Sequence, residues 1–388
     1  MKYDFTTVAN RRNIGAGKWE LMLEKNPNVA DGVIPYSVAD MEFYNAPELV
    51  NGLKDYISQP IFGYTSPTDK YYDAVINYMK KYHNWEIEKE WICPTSGVVG
   101  ALYDLVRVLT NENDGVVIMR PVYYPFTGAI VRNNRRLVNV PLMNNDGKYE
   151  IDFEAFDEAT KPEDVKMFIL CSPHNPIGRV WTKEELKRMG EICVKNNIII
   201  ISDEIHFDFI MNGYEHTVMS TLGIEIAKNT ITCTAPSKTF NLGGVKVSNI
   251  IIPNEEYREK YKAVTNSLNT FAYKTCEIVY TECREWFEEL MSVLEANRSL
   301  VETFMKENLP MIKVYPLEGT YLMWLDCRAL GLSNEQLEEL MLSHDLYLDE
   351  GYLFGDEGSG FERWNIACPT KELLAGLNRF KEAIETLM

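Results

Sequence analysis

Four apolar runs in the middle of the sequence are each followed at once by residues that can do chemistry. VKMFILC (165–171) is followed by SPHNPIG, IIII (198–201) by SDEIH, TITCT (230–234) by APSKTF, and VVIM (116–119) by RPVYYP. In an open α/β sheet, ligands bind beyond the carboxyl ends of the strands. If these runs are strands of one sheet, their ends bring Asn175, Asp203, Lys238 and the pair Tyr123/Tyr124 to one rim. An amine such as that of Lys238 can form a Schiff base with an aldehyde. A carboxylate such as that of Asp203, set against a pyridine nitrogen, keeps the ring protonated and strengthens it as an electron sink. The amide of Asn175 can donate to a phenolate oxygen. A phosphate tail is held by backbone N–H groups at a helix N-terminus, and Ser96-Gly97-Val98 opens such a helix. Each residue alone has a plainer reading: a turn for Asn175, a helix cap for Asp203, a solvated charge for Lys238, amphipathic packing for the tyrosines. Independent surface residues have no reason to fall together at strand ends, so the set points to cofactor chemistry more firmly than any member.

The elements that must position these groups follow from the pattern. Residues 97–109 read as a helix, and 116–119, 165–171, 230–234 and 247–252 as strands. Thr182 to Glu185 has the form of a capping box, in which hydroxyl and carboxylate satisfy free N–H groups reciprocally. It opens the amphipathic helix EELKRMGEICVKNN. The run IIIIS that follows is continuously apolar, as a strand buried on both faces is. This alternation predicts an α/β layer with a mainly parallel sheet. From about Thr275 a long charged helical stretch is expected to run to about Asn308. Beyond it come strand-like YLMWLD, the helix NEQLEELMLSH, strand-like RWNIAC and a last helix near 371–388, together a smaller α+β unit. The first 45 residues are Gly/Asn-rich and read as irregular.

The ordered motifs VADMEF (38–43), FGYTSP (62–67), TSGVVGAL (95–102), RPVYYPF (120–126), SPHNPIGRVW (172–181), SDEIHFDF (202–209), APSKTFNLGG (235–244) and FERWNIACP (361–369) resemble those of the fold-type I pyridoxal-phosphate (PLP) enzymes, class I/II aminotransferases, along nearly the whole chain. Within that family the sequence is similar to the branch of cystathionine β-lyases and related carbon–sulfur lyases. The resemblance implies a large domain over 46–285, with a mainly parallel seven-stranded sheet between helices. It implies a smaller α+β domain from 1–45 and 286–388. It makes Lys238 the Schiff-base lysine and pairs Asp203 with the pyridine nitrogen. Asn175 is then the partner of the ring hydroxyl, with Tyr123 stacked on the ring. Gly97, Val98 and Ser237 take the phosphate, and Arg363 the substrate α-carboxylate. Tyr64 matches a tyrosine that reaches the phosphate of the neighbouring subunit, which implies a homodimer. Three positions depart from the wider family. His206 stands where many aminotransferases have tyrosine, Lys246 where a phosphate-binding arginine is common, and Ala235 where a serine is common.

The reaction so implied is a β-elimination from cystathionine, cysteine or a similar S-substituted amino acid, giving pyruvate, ammonia and a thiol. Tyr123 or Tyr124 would protonate the leaving sulfur. The alternatives are transamination by the same residues, or a regulatory protein that retains the fold. Other chemistries lack their signatures: there is no GxxxxGK[ST], no GxGxxG after a strand, no HExxH and no GxSxG. The eight cysteines form no CxxC pair and the five histidines are isolated, so no metal and no disulfide framework is expected. The formal net charge of −18 argues against nucleic acid and anionic membranes as partners. Apolar runs such as 198–201 are too short to span a bilayer. The N-terminal MKYDFTTVANRRN has no apolar core of a signal peptide, so a cytoplasmic location is expected.

Overall fold

The computed structural model describes every residue except Pro60, Asp146 and Met388. Seven strands form the main sheet: β1 (Ile92–Thr95), β2 (Gly115–Ile118), β3 (Arg136–Asn139), β4 (Val165–Cys171), β5 (Ile199–Asp203), β6 (Thr230–Thr234) and β7 (Ser248–Ile251). Their order across the sheet is β1-β7-β6-β5-β4-β2-β3. All neighbours run parallel except at β7, which is antiparallel to both β6 and β1. The class expected from the alternating pattern is the one observed.

The continuous apolar runs follow from burial on both faces. Met167, Ile169 and Cys171 pack with Leu102 and Leu105 of the helix Val98–Leu109 in one core. Phe168 and Leu170 pack with Leu186 and Met189 of the helix Lys183–Lys195 in another. The period-two split between the cores is the pleat expressed as packing. Thr182 and Glu185 form the expected capping box. In register, Cys171 pairs with Asp203 and Asp203 with Cys233, so three central strands end level with one another.

A second, antiparallel sheet orders Lys313–Val314, Leu322–Asp326, Phe361–Asn365 and Asp349–Glu350. The helices Arg284–Asn308 and Thr370–Glu385 pack together beside it. The last helix was expected to reach Met388, which lies outside the described residues. Two expectations need correction. The stretch expected as one helix from about Thr275 is two helices, Thr270–Glu282 and Arg284–Asn308, broken at Cys283. The break lets the first pack on the helices Pro47–Ile57 and Asp69–His83 while the second continues to the antiparallel sheet. The N-terminal region holds a helix, Gly17–Lys25, where irregular chain was expected. Trp19 and Met22 are buried, and the buried ammonium of Lys18 meets Glu42 at 2.8 Å. Tertiary burial, not propensity, makes a helix this short stable.

All eight cysteines are free and buried. Among the described residues no helix is long and apolar enough to cross a membrane, and no cluster of three His, Cys, Asp or Glu could hold a metal ion.

One side chain ties the N-terminal segment to the main sheet. The Asn241 amide donates to the carbonyls of Met41 and Phe43, both at 3.1 Å, and its Oδ1 accepts from Met41 N at 3.1 Å. Its φ of 55° lies in the left-handed region, which Asn tolerates better than other side chains do. Asn241→Ala should therefore lower stability by roughly 3 kcal/mol, from the lost bonds and the less tolerant residue. Urea unfolding would show this as a lower midpoint. Proteolytic nicking should concentrate before residue 43. An unchanged midpoint would mean that the segment's other contacts hold it without these bonds.

Candidate active site

The ends of β4, β5 and β6 converge as the sequence pattern requires. Asp203, the last residue of β5, is buried. Its carboxylate accepts one backbone N–H, from Ile205 at 3.2 Å, and burial pushes its pKa up to about 7. The strand end is held from behind. Buried Glu204 accepts from Ser202 Oγ at 2.7 Å and Met219 N at 3.1 Å, and faces His216 Nε2 at 2.8 Å. Lys238 lies in the short helix Pro236–Thr239 that follows β6. Its Nζ donates to the Ala39 carbonyl at 2.7 Å. Burial pulls its pKa down to about 8, against the opposing pull of the carboxylates of Asp40 and Asp203. The amine is thus far closer to its neutral, nucleophilic form at physiological pH than an exposed lysine.

Past the end of β4, the Asn175 Oδ1 accepts from Arg363 Nη1 at 2.9 Å, and its carbonyl accepts from Tyr123 N at 3.1 Å. The amide NH2 therefore remains as the donor this side chain can offer a ligand. Arg363, on the antiparallel sheet, is buried, pairs through Nη2 with Asp349, and lies 4.7 Å from the Phe354 ring. Its Nε has no hydrogen-bond partner among the described residues. Residues 38–43 join the two halves of the site. Val38 N donates to Asp349 at 2.7 Å, and the Asn365 amide donates to the carbonyls of Val38 (2.7 Å) and Asp40 (2.9 Å). Val38 holds φ at 56°, a conformation that a β-branched residue adopts only under constraint. Behind Lys238, Thr239 donates its hydroxyl to Asp208 at 2.7 Å. The same carboxylate takes Tyr78 OH at 2.9 Å and His83 Nε2 at 3.2 Å.

An anion cradle lies at the start of the helix Val98–Leu109. Gly97, its N-cap, has φ 148°, offers no side-chain cap, and has no atom within 4 Å of where a Cβ would stand. The free N–H groups there and the helix dipole suit a phosphate. The Ser237 hydroxyl has no hydrogen-bond partner among the described residues and is only partly buried, as a ligand contact requires. His206 is buried, its Nδ1 is unpartnered, and burial holds it neutral. The Tyr123 phenol is pushed up by burial and stays protonated. Tyr124 is half exposed, its ring 5.5 Å from that of Tyr123.

Two candidates are exposed in the single chain. Lys246 is exposed at φ 62° and has no ion pair among the described residues. Tyr64 is fully exposed and touches no other ring. Asp349, Asp208, the Ala39 carbonyl and Tyr321 were not anticipated from the sequence. VADMEF could have flagged Ala39 and SDEIHFDF Asp208; Asp349 and Tyr321 sit in no motif that marks them. An open groove of about 1500 Å³ is lined in part by His83, Asp208, His216 and Arg284 but not by Asp203, Lys238, Asn175 or Arg363.

Comparisons with known proteins fit this geometry. Residues 34–380 match the family "Aminotransferase class I and II". The chain is 39% identical to the cystathionine beta-lyase PatB of Bacillus subtilis, over 90% of this chain and 92% of that protein. It superposes on cystalysin from Treponema denticola, a structure containing a pyridoxal 5'-phosphate cofactor, with TM-score 0.98 and 45% identity over all of both chains. The PLP-bound C-S lyase from Staphylococcus hominis, in complex with L-cycloserine, matches with TM-score 0.92 and 28% identity over 99% of this chain and 98% of that one.

The raised pKa of Asp203 has a consequence for stability. Its folded pKa of about 7 exceeds the ordinary value near 4, so the folded chain favours the protonated form. That contribution is lost as pH rises from about 4 through about 7. Asp203→Asn should therefore stabilise the ligand-free chain, by an amount that grows across this window and levels off above it, on the order of 4 kcal/mol at pH 8. Melting curves of both proteins at pH 5 and pH 8 check this. A difference independent of pH would mean the carboxylate is solvated.

Proposed function

The chain belongs to the class I and II aminotransferase family, and we propose that within it the protein is a PLP-dependent carbon–sulfur β-lyase. It would release a thiol, pyruvate and ammonia from cystathionine, cysteine or a similar S-substituted amino acid. The observation that carries this reading is the end-to-end likeness to a cystathionine β-lyase.

The residues fit the cofactor. A half-buried amine with one carbonyl partner, a buried carboxylate with one N–H partner and an uncapped helix N-terminus suit PLP. Lys238 would hold it through its amine. Asp203 would face the ring nitrogen, where a cation offsets the burial cost of its charge. Asn175 would donate to the ring hydroxyl, with Tyr123 against the ring and His206 nearby. Gly97, Val98 and Ser237 would take the phosphate, with the exposed Lys246 ammonium offering a point charge in place of the commoner arginine. When bound, the cofactor supplies an aldehyde for the substrate amine and a ring that withdraws electrons from Cα.

The chain's own groups do the rest. Arg363, already oriented by Asp349 and Asn175, fixes the α-carboxylate and so the α-C–H bond. Lys238, with its depressed pKa, removes the α-proton as the free amine. Tyr123, whose phenol burial keeps protonated, or Tyr124 gives a proton to the departing sulfur.

We further propose a homodimer with sites shared across the interface. Ile61, Phe62 and Tyr64 are all exposed in the single chain, and such apolar side chains gathered on one loop suit burial against a second copy. Tyr64 of the partner subunit would then complete the phosphate site.

Purified protein incubated with cystathionine, with cysteine, and with alanine plus 2-oxoglutarate should yield pyruvate and thiol from the first two. Glutamate should stay near background, and Lys238→Ala should eliminate nothing. Glutamate as the dominant product would make the chain a transaminase. For the shared site, Lys238→Ala and Tyr64→Ala proteins, each impaired alone, should partly restore activity when mixed, because one site of each hybrid keeps both residues. No recovery, with subunit exchange verified by mass, would place Tyr64 outside the partner's site.

A further inference from the structure

Tyr321 leads into the strand Leu322–Asp326 and is fully buried. Its hydroxyl has no hydrogen-bond partner among the described residues. A phenol withdrawn from water with nothing to bond is unfavourable, and such groups in native structures call for a reason. The residue before it, Thr320, holds φ at 72°, in the left-handed region that β-branched residues rarely enter. Backbone strain of this kind persists where the surroundings impose it, and it gathers at binding sites.

The surroundings of the phenol are those of the site. Its ring lies 5.7 Å from that of His206, whose Nδ1 is also unpartnered. The charged groups that bear on it are Asp40, one residue past the Lys238 acceptor, and Arg363. Ile366 N donates to the Tyr321 carbonyl at 3.0 Å, which seats Tyr321 at the end of the strand pairing that carries Arg363. The guanidinium gives one Nη to Asn175 and the other to Asp349, but its Nε is buried and open. The same sheet therefore presents two unsatisfied donors, the Tyr321 O–H and the Arg363 Nε–H. An anion is the group that satisfies both.

We propose that Tyr321 is a substrate-binding residue whose hydroxyl donates to the α-carboxylate that Arg363 neutralises. The assignment rests on the reading of the chain as an enzyme of amino acids. The α-carboxylate is common to every such substrate, whereas the sulfur substituent varies. Loss of the hydroxyl should then weaken all substrates alike.

Tyr321→Phe removes one oxygen and leaves the ring in place. In the substrate-free holoenzyme its melting temperature should equal or exceed that of the wild type, because no bond is lost. KM for cystathionine, cysteine and S-methylcysteine should rise by a common factor of about ten or more, the effect of one hydrogen bond to a charged group. Calorimetric titration with alanine, which has no leaving group, should show the same loss of affinity. A melting temperature several degrees lower with binding unchanged would make Tyr321 a structural residue and overturn the proposal. A factor that varies with the sulfur substituent would place the hydroxyl on the leaving-group side and overturn it equally. If the wild type eliminates nothing from any of the three, the lyase reading falls, and the alanine titration still decides the role of Tyr321.

Discussion

A buried carboxylate, a half-buried amine and a buried guanidinium share one floor, and taking ions out of water is costly. Asp203, Lys238 and Arg363 each meet few protein partners there. Burial drives the first two toward neutrality, raising one pKa to about 7 and lowering the other to about 8. Two groups that would be fully ionised in water thus sit near the point where either protonation state is accessible. The depressed amine and the reluctant carboxylate are consequences of the same desolvation. A polar ligand bound between them would satisfy groups that the protein leaves unpartnered, which is how a preorganised site stores binding free energy.

The floor holds its shape because backbone, not side chain, carries much of the connection. Residues 38–43 supply the carbonyl that meets Lys238, the N–H that meets Asp349, and the groups clasped by Asn241 and Asn365. One short segment therefore touches the amine's loop from the parallel sheet and the guanidinium's strand from the antiparallel one. A displacement of it would be felt at both. The left-handed Val38 is the local cost of threading that segment between them.

What could be read from the sequence follows from where the information is stored. The strand ends were legible because parallel strands buried on both faces announce themselves as apolar runs, and Asp203 and Lys238 stand directly beyond them. The capping box at Thr182 was legible because it is a local device. Asp349 and Tyr321 were not: they reach the site from the antiparallel sheet, by contacts between residues far apart in sequence, and no local pattern marks them. The helix Gly17–Lys25 was missed because Trp19, Met22 and the Lys18–Glu42 pair stabilise it from outside its own sequence. The break at Cys283 was missed because neither Gly nor Pro marks it.

The cysteines acquire a meaning in light of what such a reaction releases. Free thiols attack disulfides, exchange partners with them, and reshuffle any protein that depends on such bonds. Here all eight sulfurs are unpaired and enclosed, and burial pushes thiols such as Cys193 and Cys233 further from the reactive thiolate form. The fold offers a liberated thiol neither a bond to cleave nor an accessible sulfur to cap. Under the lyase reading proposed above, it would work in a reducing product without being rewired by it.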